Sequence, residues 1–348
     1  MKRHFSDPQL NFLVGINILI MVVATVLSHG GFLDVYNFQS MASQLPELGL
    51  LAIGVSLAMI SGNGGIDLSG VGMANLAGVV AAVVTPLVVD GDASPWGYTG
   101  VFIGLALASG LAGGLLNGWL IARVGLTPIL CTLGTQLIFT GAAVVLSHGT
   151  SVRIASVDPM SSLGNDNVYG VPIPFVIFMV ALLAVGWLLR YSPFGIRLFL
   201  LGTNAKAARY AGIPGERMLL STYATSGLLA SIAGIIIAAR TASVKSDYGS
   251  SYLLIAILIA VMAGVRPQGG YGRMVCVFFS AMALQLLSST FNLLDISNFF
   301  RDCAWGALLL CFLASARINL RDFALFSPRA SATLGQSPPE PANNRQEG

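Results

Sequence analysis

Asp67 lies in the run Ser61-Gly62-Asn63-Gly64-Gly65-Ile66-Asp67-Leu68-Ser69-Gly70, between two long apolar stretches, and four of those ten residues are glycine. A charged group at the centre of a bilayer costs about 2.5–3.5 kcal/mol on insertion scales, so an acid in such company needs a reason. The glycines favour irregular backbone, whose N–H and C=O groups must find partners in protein or water. Asp67 can accept hydrogen bonds from those N–H groups or cap the helix that follows. Its other use is contact with a solute or with a moving segment. The neutral side chains Asn63, Ser69, Asn75, Asn117 and Gln136 fall near the same depth. An amide both donates and accepts, which suits the hydroxyls of a sugar; it equally suits hydrogen bonds between helices. These six residues are the candidates for a substrate path.

Other chemistry is missing from the chain. Only three lysines occur, Lys2, Lys206 and Lys245, and none follows a glycine, so there is no G-x-x-x-x-G-K-[ST] phosphate loop. H-E-x-x-H and G-x-S-x-G are absent as well. His4, His29 and His148 are far apart, which disfavours a catalytic triad. Cys131, Cys276, Cys303 and Cys311 form no Cys-x-x-Cys pair and read as small apolar packing residues. No catalytic residue, metal site, bound cofactor or nucleic-acid surface is expected.

The elements that position the polar residues follow from composition. Of 348 residues, 55% are hydrophobic and 9% charged, against roughly 25% charged in soluble domains. Mean hydropathy is +0.78. Lipid is therefore the expected solvent, and the 40 glycines suit close helix packing in it. A crossing helix needs about 20 apolar residues. Ten candidates are predicted at about 11–28, 45–61, 70–89, 98–122, 126–147, 171–189, 218–239, 251–264, 274–294 and 299–316. The first is read as uncleaved. The eighth is short, and Gly264-Val-Arg-Pro-Gln-Gly-Gly-Tyr-Gly272 cannot continue it regularly, so a break or re-entrant turn is expected. Pro46 and Glu47 read as the start of the second span, with proline at N1 and an acid in the first turn, and Glu47 is assigned no function. With a cytoplasmic N-terminus, only Arg153, Arg240, Lys245 and Arg301 of the 18 basic residues fall outside, which obeys the positive-inside rule and puts the C-terminus in the cytoplasm too. Residues 1–326 make the membrane domain. Residues 327–348, rich in Pro, Ser, Asn and Gln, are expected to be a disordered cytoplasmic tail.

The longest inside loop, about 190–217, is basic and rich in small residues. Thr203 or Asn204 can cap a short helix running from Ala205 to Ala211, with Gly212 and Pro214 as stops. Such a helix suits docking into a partner's groove, and it is also what an ordinary positive-inside loop could contain. Four stretches then resemble a known family. They are Gly64-Gly65-Ile66-Asp67-Leu68-Ser69 with Leu76-Ala77-Gly78; Leu116-Asn117-Gly118 leading to Thr132-Leu133-Gly134-Thr135; Gly202-Thr203-Asn204 with Ala207-Ala208-Arg209-Tyr210-Ala211-Gly212-Ile213; and Gly264 with Gly269-Gly270-Tyr271-Gly272. In that order, from 64 to 272, the chain is similar to the permease subunits of ABC importers for ribose, xylose and related sugars, a family shared more distantly with branched-chain amino-acid permeases. It departs at Gly70-Val71, where the family usually reads Val-Gly, and at the more polar Arg266-Pro267-Gln268.

The resemblance implies an all-α, polytopic bundle of about ten transmembrane helices, of the type II-like ABC importer permease class, in a bacterial inner membrane. It implies a second permease copy or paralogue completing the path, ATPase subunits that use ATP on separate chains, and a periplasmic solute-binding protein. Gly202, Asn204, Ala208, Arg209, Gly212 and Ile213 would belong to the segment that couples to the ATPase. The expected function is ATP-driven import of a monosaccharide or small polyol, without enzymatic activity in this chain. A branched-chain amino-acid permease is the alternative within the class. An ion-coupled secondary transporter is the rival outside it, disfavoured because no intramembrane acid besides Asp67 is evident.

Overall fold

The computed structural model describes residues 8–317. The tail expected beyond Ser327 lies outside them. Helices α1 (Pro8–Leu27), α2 (Val35–Ile60), α3 (Gly70–Val88), α4 (Pro95–Trp119), α5 (Pro128–Ser147) and, after the short helix α6 (Asp158–Asn165), α7 (Ile173–Tyr191) form the first part of the bundle. Helices α8 (Pro193–Thr203) and α9 (Ala205–Tyr210) follow, then α10 (Gly215–Thr241), α11 (Tyr252–Met262), α12 (Met274–Leu293) and α13 (Asn298–Arg317). A helix stands at each of the ten predicted positions. Eight, namely α1 to α5, α7, α10 and α12, are long and apolar enough to cross a membrane, α4 counting through its π-helical end at Val124. The predicted eighth span is an 11-residue helix, α11. Two-residue strands β1 (Val152–Arg153) and β4 (Ser243–Val244) pair antiparallel, as do β2 (Asn167–Val168) and β3 (Val171–Pro172).

The alternate loops gather at two opposite ends. At one end Gln9 donates to Met262 O at 2.6 Å, and Arg123 pairs with Glu216 at 3.2 Å. The α8–α9 segment and the 263–273 loop belong to the same end, which carries Arg190, Arg197, Lys206, Arg209, Arg217, Arg266 and Arg273. This is the basic end. At the far end β1 meets β4, Gln39 donates to Gly170 O, and Ser289 donates to Asn37.

Helices α2 and α10 are the axis of the bundle, and most residues of both are buried. At 1.5 Å per residue their 26 and 27 residues are each about 40 Å long. Close packing replaces hydrophobic drive between helices in lipid, and α4 against α10 shows how. Gly110, Gly114 and Gly118, four residues apart, face Gly227, Tyr223 and Leu220. A Cβ at Gly114 would stand 2.3 Å from Tyr223 O, and one at Gly227 would stand 2.2 Å from Gly110 O.

The structure corrects one local reading. Helix α2 begins at Val35, capped by Asp34, whose carboxylate accepts from Tyr36 N–H at 3.0 Å. Pro46 and Glu47 therefore sit inside the helix rather than at its start. Glu47 is fully buried, and Arg240, near the end of α10, reaches its Oε1 at 2.9 Å. Tyr248 and Tyr252 donate to the other carboxylate oxygen at 3.3 and 3.2 Å.

Candidate functional site

Two stretches of non-helical backbone enter the bundle, one from each end, and the polar side chains gather around them. From the basic end, α2 stops at Ile60, the chain turns through Gly62 to Gly65, and residues 65–69 run back beside α2 before α3 begins. A Cβ on Gly65 would strike Ala58 O at 2.3 Å, so only glycine lets this strand lie so close to the helix it has just left. From the far end, residues 242–251 dip inward before α11 starts. Val244 of this loop packs on Gly78 of α3, and Ser246 is buried.

Irregular backbone away from water needs side-chain partners, and both stretches have them. Thr132 of α5 donates to Ile66 O at 3.0 Å. Asp67 Oδ1 accepts from Ser69 N–H at 3.0 Å and from Ser69 Oγ at 2.7 Å, and Oδ2 accepts from Ser226 Oγ of α10 at 2.6 Å. Asn117 of α4 donates to Ser69 Oγ at 2.7 Å. Gln136 of α5 accepts from Gly72 N–H, in the first turn of α3, at 2.9 Å. In the second stretch, Asn75 donates to the carbonyls of Ser246 and Tyr248 at 3.1 and 2.9 Å.

Of the six path candidates, Asp67, Ser69 and Asn117 thus form one buried network joining α10, the 65–69 strand and α4. Gln136 stands beside it, half-buried. Asn75 serves the other break. Asn63 is exposed on the turn after α2, in left-handed conformation with φ 56°. Asp67 takes the backbone N–H expected of it, although the residue at the N-cap of α3 is Ser69. A cavity of about 10 Å³ between Asp67, Ser226, Val55 and Ala256 is the open space at the carboxylate; this is room for about one water. Among the described residues, two buried atoms nearby have no hydrogen-bond partner, Tyr223 Oη and Asn117 Oδ1. Sequence reading missed Ser226 and Tyr223, and it met Thr132 only within a stretch of family resemblance, not as a site candidate.

At the basic end Asn204 caps α9, its side chain accepting from Ala207 N–H at 3.0 Å. The helix closes with Ile213 N–H on Ala208 O at 3.0 Å, Gly212 N–H on Arg209 O at 3.1 Å, and Gly212 at φ 74°. That is a Schellman end. The stretch before it, expected as loop, is helix α8, capped by Ser192 on Gly195 N–H with Pro193 at its first position. Gly202 and Ala208 are buried and anchor the pair, Ile213 is half-buried, and Arg209 and Lys206 are exposed, as is Tyr210 at 93%.

A mostly helical bundle with membrane-length spans, broken helices around polar side chains and an exposed helix pair at one basic end is the architecture of a membrane permease. The protein belongs to the family described as branched-chain amino acid transport system / permease component, whose model matches residues 37–313. It is 30% identical to the ribose import permease protein RbsC of Escherichia coli (strain K12) over 315 residues, 89% of this chain and 94% of that one. To the ribose import permease protein RbsC of Bacillus subtilis (strain 168) it is 29% identical over 310 residues, 89% and 93% of the two chains. The autoinducer 2 import system permease protein LsrD of Yersinia enterocolitica (serotype O:8 / biotype 1B) is 28% identical over 305 residues, 86% and 89% of the two. The fold is shared with an inward-facing metal-chelate type ABC transporter, at TM-score 0.53 and 17% identity, over 88% of this chain and 99% of that one. The chain is thus an ABC transporter permease subunit.

Proposed function

We propose that this subunit imports a monosaccharide or related small polyol across the bacterial inner membrane, driven by ATP that a separate ATPase subunit hydrolyses. The observation that carries the reading is the α8–α9 pair. It is a capped helical projection whose Lys206, Arg209 and Tyr210 face outward at the basic end, on a chain with no phosphate loop of its own. By the positive-inside rule that end is cytoplasmic, together with both termini. The ATPase docks there. A second copy or paralogue of the permease completes the path, a periplasmic solute-binding protein delivers solute to the far end, and lipid covers the rest. The sugar assignment is supported by the ribose import permeases among the relatives.

In this reading the path candidates work through the breaks. Asp67, Ser69, Asn75, Asn117 and Gln136 hold the two non-helical stretches in shape, and solute passes as those stretches move. Asn63 is the candidate that already faces outward. Weak, multi-site contact is enough, because tight binding in the path would slow release. The test is Arg209→Glu, purified in mild detergent. Loss of the co-purifying ATPase chain and of ribose uptake, with normal membrane insertion, is the expected result. Undiminished co-purification and uptake would overturn the docking role.

A further inference from the structure

Three segments meet at the basic end with almost no side chain between them. They are the turn after α2, the last turn of α8 and the loop between α11 and α12. A Cβ on Gly202 would lie 2.0 Å from Ile60 O and 2.5 Å from Gly270 N. One on Gly62 would lie 2.8 Å from the Gly202 Cα, and one on Gly269 would lie 2.3 Å from the Gly62 Cα. Gly62, Gly269 and Gly270 also have positive φ, of 85°, 93° and 71°, where a side chain is strained as well as crowded. Backbone hydrogen bonds close the junction. Gly270 N–H donates to Ile60 O at 3.0 Å, and Gly64 N–H donates to Pro267 O at 3.1 Å.

We infer that this glycine junction is the part that carries displacement of α8–α9 into the bundle, with Gly62, Gly202, Gly269 and Gly270 as positioning residues. The inference rests on the ATPase-driven reading. Long side chains can absorb a push by changing rotamer, whereas backbone packed on backbone has no such slack. Gly202 lies in the last turn of α8, and Gly62 lies in the turn into the stretch that carries Asp67. A shift of α8 therefore reaches Asp67 within a few residues of main chain. The same shift reaches the 264–272 loop, and through it the end of α11 and the start of α12. The two segments are thereby driven together rather than in sequence.

The test uses the complex of the permease with its ATPase, by hydrogen exchange with and without a non-hydrolysable ATP analogue. In the unmodified complex, peptides covering 199–213, 60–69 and 264–272 should change together. In Gly202→Ala the response at 199–213 should persist, while the response at 60–69 and 264–272 falls by about tenfold or more, as for a lost coupling between sites. Gly215→Ala, whose Cβ would make an ordinary 3.5 Å contact with Leu201, should leave all three intact. A response that stops at 199–213 in the unmodified complex, or one that survives undiminished in Gly202→Ala, overturns the junction alone. No response even at 199–213 overturns the ATPase-driven reading and the junction with it. Should Gly202→Ala fail to assemble, the comparison within the unmodified complex still decides.

Discussion

Removing the positive partner of Glu47 should be among the most damaging single changes in the far half of the bundle. In Arg240→Met the carboxylate stays fully buried and keeps only the Tyr248 and Tyr252 hydroxyls, at 3.3 and 3.2 Å. Breaking a buried ion pair from one side costs about 3–5 kcal/mol, mostly the penalty of the charge left behind. Arg240 is itself 20% exposed, so water already softens the pair, and the lower figure, about 3 kcal/mol, is expected. Adding Glu47→Gln removes the stranded charge and leaves an amide that still accepts from both tyrosines. The double variant should recover at least about half of the loss. A built-in control exists in Arg123–Glu216, the same chemistry with side chains 68% and 60% exposed. Arg123→Met should cost under about 1 kcal/mol. Equilibrium unfolding in mixed micelles measures all four proteins. If the double variant is no more stable than Arg240→Met, or if the exposed and buried pairs cost the same, the argument from burial is wrong.

Two further outcomes test the packing around Asp67. Ser226→Ala strands Asp67 Oδ2 and should cost about 1–3 kcal/mol, whereas Tyr223→Phe removes a hydroxyl that has no partner among the described residues and should cost nothing or stabilise; the same unfolding assay separates them, and equal losses would contradict the assignment of partners. Gly114→Leu drives a side chain into the Tyr223 backbone and should abolish folded protein in detergent by size-exclusion chromatography, while Gly134→Leu, with nothing within 4 Å of its Cβ position, should leave the elution profile unchanged.

How legible the molecule was depends on the kind of signal. Long apolar runs and loop charges gave every long span, because the need to satisfy backbone inside lipid leaves helices as the default. The cap at Asn204 and the stop at Gly212 were readable for the same local reason, side-chain and backbone chemistry a few residues apart. Helix α8 went unseen although Ser192 and Pro193 are a good start signal, since Gly195, Gly202 and a basic residue made the stretch resemble a loop. The start of α2 was misplaced because residues 35–44 are mixed in polarity and Pro46 looked like a first-turn residue. That error hid Glu47. Its partner Arg240 is remote in sequence, and no spacing rule connects them. Ser226 is a single hydroxyl in an apolar helix, and Thr132 stood out only as part of a family stretch; their partners, a carboxylate and a bare carbonyl, are visible only in the fold.

The 242–251 loop gives α11 a particular character. Its 11 residues cover only about 16 Å, about half the roughly 30 Å hydrocarbon thickness, and the remainder of that crossing is made by chain with few regular bonds to lose. From the opposite face the 65–69 stretch leads into α3, whose 19 residues are themselves long enough to cross. The two non-helical stretches thus reach into the bundle, held there by side-chain amides and hydroxyls in place of regular backbone bonds. With so few regular bonds to break, these two places are where the bundle would rearrange at the least cost.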